Sequence, residues 1–177
     1  MLLENKNASQ QPKPKGEITV KKSSTTKSTN AKVKKQPPKP GPKHKRLEIF
    51  LGTWKMKGQQ YDGVMGPAAK ITAVQTYEWL TGAFFLVHRF EGRVGDAETA
   101  CIEIIGHDAS SQSYSTHSFY NNGITNEWRV RERDGTWKLK GEAQMADKSL
   151  KVRCKTVFSD DGNTMTGKWE YSSDGSK

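Results

Sequence analysis

From Trp54 onward, apolar residues recur at every second position in about nine short runs, and most runs are closed by a turn-forming pair. Trp54, Met56 and Gly58 alternate with Lys55, Lys57 and Gln59. Ile71, Ala73, Gln75, Tyr77 and Trp79 alternate with Lys70, Thr72, Thr76 and Glu78. Phe84, Leu86, His88 and Phe90 share one face of the next run, with Phe85, Val87, Arg89 and Glu91 opposite. The pattern repeats at 124–131, 137–143, 150–158 and 165–171. Thr81-Gly82, Gly95-Asp96, Asn121-Asn122-Gly123, Asp134-Gly135 and Asp160-Asp161-Gly162-Asn163 separate the runs as hairpin turns. One further run, about Glu98 to Gly106, is expected to carry Ala100, Ile102 and Ile104 inward.

Such a chain is all-β and antiparallel. A flat meander of so many strands would leave its apolar face wet, so the sheet must curl or split. Closure into an up-and-down barrel of about 8–10 strands buries that face and removes the edges, and a two-sheet sandwich is the alternative. Helix is confined to the start of the body. There Leu47, Phe50 and Leu51 fall at helical spacing and Gly52 can end the turn.

Charge divides the chain in two. The 177 residues carry 29 basic and 19 acidic side chains, a net charge of +10. Residues 1–43 hold eleven lysines, no arginine and two acids, a net +9; residues 44–177 are almost balanced. The first segment has no aromatic residue and only scattered apolar ones, so nothing there offsets the cost of ordering about 1–2 kcal/mol per residue. A disordered Lys/Pro-rich tail over 1–43 and a β-barrel domain over 44–177 are expected. The tail, including Lys21, Lys22, Lys34 and Lys35, would contact polyanions loosely and with strong salt dependence, or serve as a solubilising spacer. It has no apolar face to insert into a membrane.

Cys101 and Cys154 lie far apart with no CxxC spacing, which points to free thiols rather than a zinc site or a disulfide framework. No run approaches the ~18 apolar residues of a membrane helix. The opening Met1-Leu2-Leu3 turns polar at Glu4, so no secretory signal is expected and the protein is placed in the cytoplasm.

A short helical turn followed by Gly52-Thr53-Trp54 resembles the Gly-x-Trp opening of calycin barrels, the group that includes lipocalins. Over residues 44–174 the chain resembles a bacterial family known by its DUF1579 label. The likeness rests on His44-Lys45-Arg46-Leu47, Phe50-Leu51-Gly52-Thr53-Trp54, Tyr77-Glu78-Trp79-Leu80 and Phe84-Phe85-Leu86-Val87-His88. It continues through Ile104-Ile105-Gly106-His107-Asp108, Asp134-Gly135-Thr136-Trp137 and Phe158-Ser159-Asp160-Asp161-Gly162-Asn163. The resemblance implies a calycin-like barrel and supplies no catalytic residues. Similar chains continue past the last turn into another tryptophan-bearing strand. This one ends at Lys177, so the barrel is expected to lack a final strand or to close without it.

His88 is the sharpest candidate within the body. Its face is otherwise apolar, so it should point inward, where an imidazole can bind a ligand, act as a general base or simply satisfy a core hydrogen bond to Tyr77. An interior pocket for a small apolar ligand would draw on His88, Tyr77, Trp128, Gln75, His117, Phe84 and Phe90. His117 would lie near His88 across the barrel, and a two-histidine metal site would then need Glu103 or Glu127. No metal or cofactor is indicated by spacing, and a distant likeness to nitrobindin-type barrels makes haem the alternative. No nucleophile elbow, phosphate loop or Ser/His/Asp order is present, so the residues lean away from an enzyme. A module whose interior is filled by side chains is the remaining reading. Arg129, Arg131 and Arg133 with Lys138 and Lys140, interleaved by Glu127, Glu132 and Glu142, suggest a solvated outer face laced by cross-strand ion pairs.

Overall fold

The computed structural model of the chain describes residues 38–144 and 149–173. The expected tail with Lys21, Lys22, Lys34 and Lys35, the turn at Ala146-Asp147-Lys148 and the terminal residues from Asp174 on lie outside the described residues.

The described part begins with a single helical turn, α1 (Pro42–Lys45), continued by a 3-10 turn over Arg46–Phe50. Pro42 suits the first helical position because the amide it lacks would be unpaired there. His44 Nδ1 accepts from the Gly41 amide at 3.0 Å and closes the turn from its other side. Nine strands follow: β1 (Gly52–Gln60), β2 (Ala69–Trp79), β3 (Phe85–Val94), β4 (Ala97–Asp108), β5 (Ser113–Tyr120), β6 (Thr125–Arg133), β7 (Thr136–Gln144), β8 (Ser149–Phe158) and β9 (Met165–Ser172). Each pairs antiparallel with the next in one nine-stranded sheet of order β1 to β9.

The sheet curls. Trp54 on β1 and Phe158 at the end of β8 meet with ring centroids 5.9 Å apart, although six strands lie between theirs in the ladder. Among the described residues no ladder joins β9 to β1, so the architecture is a curled half-barrel. At one end the side chains bridge the seam that the backbone leaves open. The 3-10 turn places Leu47, fully buried, into a cluster with Tyr77, Leu86, Ile105, Tyr114 and Trp137, flanked by Phe50, Trp54, Trp79, Val130 and Phe158. Phe50 stacks edge-on against Trp137 at 4.9 Å and Phe158 at 5.0 Å, an aromatic plug contributed by three separate elements. Tyr114 Oη donates to the Lys43 carbonyl at 2.9 Å, and Arg46 pairs with Glu132, so the plug is tied to β5 and β6. A smaller cluster of Trp128, Ala143 and Val152, with Leu139 and Tyr171, fills the β6–β9 side.

The strand phases follow the alternation except on β4. Its register sets Glu103 opposite His88 and Ile105 opposite Leu86, which turns Cys101, Glu103 and Ile105 inward and puts Ala100, Ile102 and Ile104 on the outer face. The expected inward set is therefore reversed. Period two favours Ala100, Ile102 and Ile104 as the buried set, because the alternate phase carries the charged Glu103. The choice falls to the neighbours: the inward phase gives Glu103 its hydrogen-bonding partners. Gly92 on β3 lies close against β2. A Cβ there would stand 2.4 Å from the Thr72 carbonyl oxygen and 2.5 Å from the Ala73 Cβ, so only glycine fits this crossing.

Candidate functional site

The inner face of the half-barrel carries a buried polar network. His88 on β3, Gln75 and Tyr77 on β2 and Glu103 on β4 are brought together by the direct pairings Tyr77↔His88 and His88↔Glu103. His88 Nδ1 lies 2.9 Å from Glu103 Oε2, and His88 Nε2 lies 3.2 Å from Gln75 Oε1. Tyr77 Oη donates to the same Gln75 oxygen at 3.1 Å, and Gln75 Nε2 donates to Met56 Sδ on β1 at 2.9 Å. Ser118 Oγ on β5 donates to the other Glu103 oxygen at 2.9 Å. Thr116 adds a looser contact to that carboxylate without hydrogen-bond geometry. The Tyr77 and His88 rings stack with centroids 4.1 Å apart and planes 2° apart.

Both nitrogens of His88 are thus engaged, Nδ1 by the Glu103 carboxylate and Nε2 by the Gln75 amide oxygen. Burial pushes the Glu103 carboxyl up, but the hydrogen bond and charge of His88 and the contacts from Thr116 and Ser118 outweigh it, leaving the group below its ordinary value of 4.5. Glu103 is therefore ionised at neutral pH. Burial, reinforced by the Glu103 charge, raises the Tyr77 hydroxyl and pushes the Cys101 thiol up to about 11. Burial likewise raises Tyr120 and pushes Tyr171 up to about 12. The network around Glu103 at neutral pH thus offers neutral hydroxyls and a neutral thiol beside its carboxylate.

A depressed carboxyl stabilises the fold above its unfolded value, and that contribution is lost as pH falls through the folded value. The contribution of Glu103, read by urea denaturation as the difference between the full chain and its Glu103→Gln variant, should be level from neutral pH to about 4.5 and fall below it. The Glu103→Gln variant, with no carboxyl to titrate, should show a shallower fall. Equal acid slopes for the two proteins would contradict an ionised, paired Glu103.

Next to this network the registers Gln75↔Phe90, Phe90↔Cys101 and Cys101↔Tyr120 set four side chains in a row across the inner face. Opposite them, Trp169 on β9 shares the inward phase of its buried neighbour Cys154 yet is 45% exposed. Its ring lies 6.3 Å from Tyr171 and 6.5 Å from Trp128. The inner face is thus open to solvent beside β9, away from the plug.

Of the residues singled out from sequence, His88, Gln75 and Tyr77 form the network and Phe90 adjoins it. Trp128 faces inward but is packed in the β6–β9 cluster. Phe84 lies at the plug, edge-on to His44 at 5.2 Å. His117 does not approach His88. It lies exposed on the outer face, opposite Ile104 and Glu127, because the ladder puts Ser118 rather than His117 in phase with Glu103. The two histidines with Glu103 or Glu127 therefore form no common site, and among the described residues no group of three metal-ligating side chains assembles. His107 faces inward beside the plug, 5.3 Å from Tyr114 and 5.7 Å from His44. Asp108 binds its own turn, accepting from the Ser110 amide at 2.9 Å and from the Ser110 and Ser111 hydroxyls at 2.7 Å. The central role of Glu103 was missed by sequence reasoning, although a carboxylate between Ile102 and Ile104 is itself a signal. Ser118 and Met56 carried no signal.

These features define a class: an antiparallel half-barrel, plugged at one end by a helical turn, with a hydrogen-bonded polar floor on its inner face. Residues 39–175 match the family model described as "Protein of unknown function (DUF1579)", and the chain belongs to that family. No curated protein matches the chain. Among the described residues no helix is long and apolar enough to cross a membrane.

Proposed function

We propose that the domain is a binding module for a small, largely apolar molecule with one hydrogen-bonding group, held on the inner face of the half-barrel. The observation that carries this reading is Trp169, an inward-facing tryptophan left 45% exposed on a face that otherwise forms the core. A curled sheet that opens an aromatic side chain toward its own interior offers apolar surface to a guest. Phe90, Tyr120 and Tyr171 would contact the apolar body, and the Gln75 amide would meet the polar end.

The same geometry weighs against His88 as a general base or as an iron ligand. Each of its nitrogens is already engaged, at 2.9 Å and 3.2 Å, and either role would break one of those bonds. The free thiols of Cys101 and Cys154 suit a reducing compartment and so a cytoplasmic setting. The lysine-rich segment 1–43 would add loose, salt-dependent polyanion contact.

Titration of the full chain with the uncharged dye Nile red tests the binding reading. Saturable one-to-one binding is expected, abolished by Trp169→Arg and retained by Phe85→Arg, which places the same charge on the outer face. Non-saturable binding, or equal loss in both variants, would sink the assignment of the inner face.

A further inference from the structure

The outer face of β6–β9 carries a ladder of like charges. Arg131 on β6 pairs directly with Lys138 on β7, Lys138 with Lys155 on β8, and Lys155 with Lys168 on β9. All four are exposed. Two residues along the strands, Arg129, Lys140 and Arg153 stand opposite one another in a second row, which ends at Glu170. Strands lie about 4.8 Å apart, and residues on one face recur about every 6.8 Å, so these seven cations occupy a patch of roughly 14 by 7 Å.

Like charges placed directly opposite destabilise a sheet. Cross-strand ion pairs were expected to relieve them, and they reach only part of the two rows. Glu132 sits on the inward phase, its side chain 7% exposed, and is bound to Arg46. Glu127, opposite His117, and Glu142, opposite Lys151, stay on the outer face in the adjoining row, between the cations and Phe119. Arg129 has Asp108 at 3.7 Å, and Glu170 serves both Arg153 at 3.2 Å and Lys168 at 3.1 Å. Among the described residues Arg131, Lys138, Lys140 and Lys155 have no ion pair.

The near-balanced charge of the body thus conceals a one-sided distribution. The basic rows border a surface recess of about 1040 Å3, whose charged lining is Arg129, Arg131, Lys138 and Lys140 together with Glu127 and Glu142. Phe119 lies in the same recess with 51% of its surface exposed.

We propose that this face binds the phosphate backbone of a single-stranded nucleic acid. The two cation rows track the phosphates, and Phe119 gives an unpaired base a ring to stack on. Cationic grooves with an aromatic platform suit single strands, whose bases are free to stack, whereas a duplex keeps its bases inside. The site is separate from the inner face and does not depend on the ligand proposed there. It also differs from the lysine-rich segment 1–43, which carries charge but no aromatic residue.

Fluorescence anisotropy with the full chain and a labelled single strand of about 15 nucleotides tests this. The triple variant Arg131→Gln/Lys138→Gln/Lys155→Gln removes three of the four cations of the first row. A matched triple, Lys55→Gln/Lys57→Gln/Lys70→Gln, removes the same charge from the outer face of β1 and β2. Both keep residues 1–43 unchanged. The ladder variant should bind on the order of tenfold more weakly at low salt, and its salt dependence should flatten by about two in log–log slope, near 0.7 for each lost phosphate contact. Phe119→Ala should also weaken binding with the salt slope unchanged. Relief of like-charge opposition should raise the melting temperature of the ladder variant by about a few degrees, which separates lost binding from lost folding. Equal weakening by the two triples would overturn the proposal, since the charge would then act without location. Tighter binding to a duplex of equal length, or to vesicles containing phosphatidylserine, would overturn the choice of a single strand.

Discussion

Replacing Glu103 with alanine is expected to cost the fold about 3–5 kcal/mol, read as a lowered midpoint in urea denaturation at neutral pH. The carboxylate accepts from His88 at 2.9 Å and from Ser118 at 2.9 Å, and both its side chain and that of His88 are largely buried. Its removal strands an imidazole and a hydroxyl away from water, and the desolvation already spent on them is no longer offset. Replacing both members, Glu103→Leu with His88→Leu, should be milder than the sum of the single changes, because no charge is left without its partner. A loss below about 1 kcal/mol for Glu103→Ala would mean that water reaches the pair and that the network does not anchor the inner face.

Leu47→Ala should be nearly as damaging, at about 2–5 kcal/mol, with a fall in melting temperature of about 10 °C or more. Leu47 is fully buried although it lies in a short turn ahead of the first strand, and it contributes to the cluster of Tyr77, Leu86, Ile105, Tyr114 and Trp137. A helical turn this short has no stability of its own, so its position depends on what it buries. Ile49 and Leu51 in the same segment are 39% and 37% exposed, and their alanine variants should stay within about 1 kcal/mol of the parent. If all three substitutions proved equivalent, the turn would be a surface appendage and the end of the half-barrel would be closed by the strand residues alone.

Charge in this molecule is set at two scales. Counting residues separates a segment of net +9 from a nearly neutral body. The register then redistributes charge within the body. Arg131 and Glu132 are neighbours in the chain, yet one joins the exposed ladder and the other is drawn inward to Arg46. No count over a window detects that separation, because it arises from the side on which each side chain leaves the strand.

The sequence by itself determined the all-β class, the antiparallel meander and most of the strand phases. Alternation is a local property, and wherever one phase is plainly polar it identifies the face that must be buried, as on β1 to β3 and on β6 to β9. It also marked His88, Gln75 and Tyr77 as inward, since each sits among apolar residues at period two. Tertiary structure decided three things. It chose the phase of β4 against the alternation, and so brought Glu103 to His88. It sent His117 outward to Glu127 and away from His88. It aligned Arg131, Lys138, Lys155 and Lys168 across four strands. The physical reason is the same in each case. Period two tells which residues of a strand share a face, but which residues of different strands meet depends on register and curl, and these are fixed only when the whole sheet buries its core.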